Sequence, residues 1–127
     1  MRLLRVLLAE DDGMIGMLIA DMLTEMGHDV CAIEVTEAAT VTAAAHHRPD
    51  LIIADARLGR GSGVSAVEEI LRAGFVPHLF VTGNSSAVKE RRPDAVVVEK
   101  PFDEAQLVHA IQRALAIAGP ASLVELT

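Results

Sequence analysis

Aromatic side chains are scarce: the chain holds three Phe, no Tyr and no Trp. Few platforms remain on which a nucleobase or a flavin ring could stack. Cys31 is the one cysteine, so no internal disulfide can form. Its apolar, strand-like surroundings read as those of a buried small hydrophobe. Positive charge is short as well. Eleven Lys and Arg stand against eighteen Asp and Glu, a net charge of −7, which argues against direct nucleic-acid binding because that needs a basic footprint. No apolar run approaches the roughly 20 residues that span a bilayer, and no membrane insertion is expected. The opening Met1-Arg2-Leu3-Leu4-Arg5 has the look of a secretory leader, but it runs straight into Glu10-Asp11-Asp12 without a small-residue cleavage site. A cytoplasmic location is the expectation.

What is present suffices for one domain with a real core: 127 residues, 51% of them apolar. The hydrophobic pattern alternates between short continuous runs and helical spacing. Strands are expected at Leu3 to Ala9, Val30 to Val35, Leu51 to Ala54, His78 to Val81 and Ala95 to Val98. The first helix is expected after Asp12 as N-cap, with Ile15, Leu18, Ile19, Met22, Leu23 and Met26 on its apolar side and Gly27 as its stop. Thr36 caps a second helix carrying Val41, Ala44 and Ala45. The third starts near Val64 with Val67, Ile70 and Leu71 inward, after a glycine-rich loop from Gly59 to Gly63. The fourth is short, Ser85 to about Arg91, before Pro93. Asp103 caps the fifth, with Gln106 as its capping-box partner and Leu107, Val108, Ile111, Leu115 and Ala118 as its stripe. Gly119-Pro120 ends it. A domain over residues 1–118 and a tail over 119–127 are expected, with no output domain. Five strands alternating with five helices predict an α/β fold, a doubly wound parallel sheet covered on both faces.

In such folds ligands bind beyond the carboxyl ends of the strands. Glu10 and Asp11 end the first strand, Asp55 the third and Thr82 the fourth, and Lys100 follows the fifth. Each residue has an ordinary reading: a strand-end Asp is most often a cap, a strand-end Thr a surface hydroxyl, a lone Lys a solvated charge. Chance would scatter them, whereas here they fall at strand ends in order. Three carboxylates repel unless a cation sits between them, and hard oxygen ligands suit Mg²⁺. A carboxylate is also a competent nucleophile for phosphoryl transfer, and a Lys ammonium and a Thr hydroxyl could hold the remaining oxygens.

Leu7-Leu8-Ala9-Glu10-Asp11-Asp12, Asp50-Leu51-Ile52-Ile53-Ala54-Asp55, Phe80-Val81-Thr82-Gly83 and Glu99-Lys100-Pro101-Phe102 together resemble the receiver domains of two-component response regulators. The resemblance covers about residues 3–118. It implies a flavodoxin-like sheet of strand order 2-1-3-4-5 and a signalling role rather than an enzyme's. It also implies a sensor histidine kinase or histidine phosphotransfer protein as donor, with a downstream protein target. By position, Asp55 matches the phosphorylated aspartate, Asp11 the direct metal ligand and Glu10 its water-mediated neighbour. Arg57 matches the residue whose backbone carbonyl binds the metal. Thr82 matches the switch hydroxyl, and Lys100 the lysine, whose bond to Pro101 is cis in the family. The stretch Val76 to Asn84 is similar to a Phe-Ala-Thr-Gly subgroup. The segment at Arg92-Pro93 resembles receivers joined to sigma-factor-like domains in stress-response regulators.

The chain departs from that pattern twice. The aromatic residue usual three positions before the lysine is Val97, so the ordinary threonine–aromatic coupling cannot operate. The proline usual in the loop after the phosphorylated aspartate is Gly59. Among rivals, a haloacid-dehalogenase-like phosphatase needs a second Asp where Arg57 stands, and an FMN carrier needs a phosphate cradle where Glu10-Asp11-Asp12 would repel one. A receiver-like module that binds protein constitutively stays open as the alternative, favoured by Val97 and opposed by the complete acidic, Thr and Lys set. His28, His78 and His109 show no ligand spacing, and His46-His47 sit near a helix end, where a cation complements the dipole.

Overall fold

The apolar runs of the three central strands are continuous because both of their faces are buried. The computed structural model describes residues 3–117; Ala118, Gly119-Pro120 and the expected tail lie outside them. In chain order the elements are β1 (Arg5–Ala9), α1 (Gly13–Glu25), β2 (Asp29–Glu34), α2 (Glu37–His47), β3 (Leu51–Asp55), the short β4 (Arg57–Leu58) and β5 (Gly61–Ser62), α3 (Gly63–Leu71), β6 (His78–Thr82), α4 (Ser85–Arg91), β7 (Val97–Glu99) and α5 (Glu104–Ala116). Five strands form one parallel sheet of order β2-β1-β3-β6-β7, while β4 and β5 pair with each other. Counted within the large sheet, that is the expected flavodoxin-like order 2-1-3-4-5.

Alternation along the strands sorts the core into two layers. Val6, Leu8, Ile53, Leu79 and Val81 meet Ile19 and Leu23 of α1 and Leu107 and Ile111 of α5. Leu7, Ala9, Ile52, Ala54 and Phe80 face the other way, onto Ala43 and Ala44 of α2, Val64 and Val67 of α3 and Val88 of α4. Among the described residues no helix is long and apolar enough to cross a membrane.

Asp12, Thr36 and Asp103 cap α1, α2 and α5 as expected, the last in a full capping box with Gln106. Gly27 follows the end of α1 at φ 91°. Other details differ. β1 begins at Arg5, because the Leu4 amide is drawn off to donate to His28 Nδ1 at 3.2 Å. Leu18, expected on the buried stripe of α1, is 55% exposed beside Met14 and Met17. Cys31 is only half-buried: the β1–β2 register skips it, and its thiol donates to the Val6 carbonyl at 3.4 Å. The fifth strand of the sheet starts at Val97, since the Ala95 amide closes a turn onto the Arg92 carbonyl. The two-residue β4 and β5 were not expected at all.

Candidate functional site

Every strand of the large sheet points its carboxyl end toward the same edge, and the chain places its polar groups there. Glu10 follows β1 and is 1% exposed; Asp55 is the last residue of β3 and 8% exposed. Lys100 follows β7, with its peptide bond to Pro101 cis. Its ammonium donates to Asp55 Oδ2 at 2.8 Å and to Glu10 Oε1 at 3.1 Å, tying three strand ends into one charged cluster. Two backbone amides complete the acceptors: Asp12 N–H donates to Glu10 Oε2 at 3.1 Å, and Arg57 N–H to Asp55 Oδ1 at 3.0 Å.

One ammonium does not neutralise the cluster. Burial, reinforced by a hydrogen bond with Asp55, pushes the Glu10 carboxyl up from 4.5 to about 7. For Lys100, burial works against the charge, but bonds to Asp55 and Glu10 outweigh it and raise its pKa. Glu10, Asp11 and Asp55 each offer an oxygen, all within 4.8 Å of one another. Three hard, crowded carboxylates with a single compensating cation make a donor set that fits a divalent ion such as Mg²⁺. A cleft opens above them, lined by Asp11, Asp55, Arg57, Thr82, Asn84 and Lys100.

Thr82 ends β6 and is 7% exposed. Its Oγ accepts from the Asn84 amide at 3.0 Å, and the Asn84 side chain in turn caps α4 at Ala87. The hydroxyl therefore sits one hydrogen bond from a helix terminus. On the other rim, Gly59 N–H donates to Asp11 Oδ2 at 2.7 Å.

Several of these supports left little trace in the sequence. Gly63 lies so close to β3 that a Cβ there would stand 1.9 Å from the Asp55 carbonyl oxygen. It is the one glycine of its loop that no other residue can replace without moving Asp55, and a glycine directly before a helix was the only available hint. Glu37, capping nothing in its own helix, reaches across to accept from the Ser62 amide at 2.9 Å. Arg57 is exposed and is one of the residues that line the cleft.

The family described as the response regulator receiver domain matches residues 6–112. The chain belongs to that family. This receiver is 35% identical over 115 residues to the transcriptional regulatory protein PdtaR of Mycobacterium tuberculosis, covering 87% of this chain and 56% of that one. The solution structure of the PhyR receiver domain of Erythrobacter litoralis superposes with a TM-score of 0.82 at 33% identity, covering 92% of this chain and 93% of that one. Crystalline PhyR of Bartonella quintana, described as an anti-anti-sigma factor, gives 0.85 at 30% identity over 98% of this chain and 52% of that one. The receiver thus spans about half the length of PdtaR and of the Bartonella protein.

Proposed function

We propose that this receiver is a phosphorylation-switched signalling domain in which Asp55 accepts the phosphoryl group. The observation that carries the reading is the Lys100 ammonium bridging Glu10 and Asp55 at the strand ends, with Asp11 beside them. Glu10 and Asp55 are buried with the exposed Asp11 beside them, and such a crowd of like charges costs stability unless a cation offsets it. A carboxylate oxygen of Asp55 attacks phosphorus, the bond from phosphorus to the donor breaks, and its electron pair leaves with the donor. Lys100 is placed to follow the charge from carboxylate to phosphoryl oxygen, and the Thr82 hydroxyl, whose proton the Asn84 amide does not engage, to donate to a second oxygen. Glu10, Asp11, Asp55 and the backbone carbonyl of Arg57 would hold Mg²⁺, which offsets charge on the incoming group.

A histidine kinase or histidine phosphotransfer protein is the donor in this reading, and the output is contact with a protein. Likeness to a protein described as an anti-anti-sigma factor makes a sigma-factor regulator the favoured class of target. A cytoplasmic location goes with such a relay. The test is intact mass after incubation with acetyl phosphate or phosphoramidate and Mg²⁺: one phosphoryl group is expected on the wild type and none on Asp55→Asn. An adduct that persists in Asp55→Asn moves the acceptor elsewhere.

A further inference from the structure

We infer that the β4–β5 hairpin is a backbone clamp that presets Asp11 for the cation, with Gly59 as the positioning residue; this rests on the metal role of the acidic cluster proposed above. The hairpin delivers three amides to three carboxylates from three separate segments. Arg57 N–H bonds Asp55 after β3, Gly59 N–H bonds Asp11 after β1, and Ser62 N–H bonds Glu37 at the start of α2. Without such a bond Asp11 has every reason to turn away. It is exposed, water would solvate it, and its nearest charged neighbours include two carboxylates of the same sign. The 2.7 Å bond from Gly59 instead holds one oxygen and leaves the other to a cation. A carboxylate has lone pairs enough for both.

The role needs a backbone N–H, and glycine presents it here without strain. Gly59 sits at φ +56°, in the left-handed region that side chains strain to adopt. Proline, the family's usual residue here, has φ near −65° and no N–H. A proline at this position would leave Asp11 without its partner, so the departure from the family pattern is also the source of the clamp. Glu37 completes it from outside the acidic cluster. Its side chain packs so tightly on Gly61 that a Cβ there would lie 3.0 Å from it, and the Ser62 bond pins the second strand of the hairpin. Because the coupling is reciprocal, cation binding should also steady the hairpin.

The experiment is a calorimetric titration of the full chain with MgCl₂, with amide hydrogen exchange at Gly59 followed by NMR in parallel. Losing a hydrogen bond to a charged group should weaken Mg²⁺ binding about tenfold in Gly59→Pro. Gly59→Ala keeps the N–H and should bind within about twofold of wild type despite its backbone strain, since strain at a turn lowers stability rather than removing the bond. Glu37→Ala, which removes no proposed ligand, should weaken binding by a smaller factor and speed exchange at Gly59; it serves also if Gly59→Pro fails to fold. Equal or tighter binding in both Gly59→Pro and Glu37→Ala overturns the clamp while leaving the metal site intact. Absence of Mg²⁺ binding in the wild type overturns the metal site and the clamp with it.

Discussion

Glu10 shows what the site costs one residue. It is 1% exposed, and burial pushes its pKa up from 4.5 to about 7. The folded protein therefore holds a proton on Glu10 more tightly than the unfolded chain does. The resulting stabilisation is complete below about pH 4.5 and is lost as pH rises to about 7. His78 acts in the opposite sense, because burial between Phe75 and Phe80 lowers its pKa from 6.5, so acidification favours the unfolded chain. Comparing wild type with Glu10→Gln cancels His78. In EDTA, urea unfolding should show Glu10→Gln gaining on the wild type by roughly 2–3 kcal/mol between pH 5 and pH 8. A difference that stays flat with pH would mean that Glu10 titrates as an ordinary carboxyl. Glu10, Asp11, Asp55, Thr82 and Lys100 were legible as candidate site residues because each carries a distinctive side chain at or just beyond a strand end. Gly59 and Gly63 were not, since what they contribute is an amide and an empty space, and neither leaves a mark on hydropathy or charge.

Among the described helices, α4 is the shortest. It is seven residues long, and Val88 is its buried residue. Polar ties hold the rest: Thr82 to the Asn84 amide, Ser85 to Glu99 at 3.2 Å, and Arg91 to Ser65 and Glu68 of α3. Such an element opens locally at low cost. Val97 carries no ring to turn, and its branched side chain has few rotamers to exchange. The hydrogen bond from Asn84 to Thr82 then offers a route from the cleft that Asp55 and Thr82 line to the surface of α4. With beryllofluoride as a phosphoryl mimic, amide NMR should show the largest changes outside the site at residues 83–92, suppressed in Thr82→Ala. Shifts confined to the loops around Asp11 and Asp55 would instead favour the constitutive module. Caps and apolar periods announced the long helices and α4 alike, because those signals repeat over a turn or more. A two-residue strand has no period, so β4 and β5 were invisible, and the start of the last strand depended on where the Ala95 amide went.

For the whole molecule, a parallel sheet has a consequence that no single residue shows. It collects the carboxyl ends of all five strands at one edge, and this chain puts Glu10, Asp11 and Asp55 there within a net charge of −7. Folding must therefore work against a repulsion that the unfolded chain does not feel, and a cation that binds only the folded state recovers it. At Mg²⁺ ten times its Kd the gain is RT ln 11, about 1.4 kcal/mol. For a domain of this size that corresponds to a rise of roughly 5 °C in Tm. Asp11→Asn separates the charge from the hydrogen bond, because its amide oxygen can still accept from Gly59 N–H. In EDTA at low salt the variant should melt a few degrees above the wild type, roughly 2–4 °C, since one repelling charge is gone. Added Mg²⁺ should then raise its Tm little or not at all, so the order of the two proteins reverses or closes as Mg²⁺ increases. High salt should shrink the EDTA difference by screening the exposed Asp11. If Asp11→Asn melts below the wild type in EDTA and keeps the full Mg²⁺ response, Asp11 is a structural partner of the hairpin and the cation lies elsewhere.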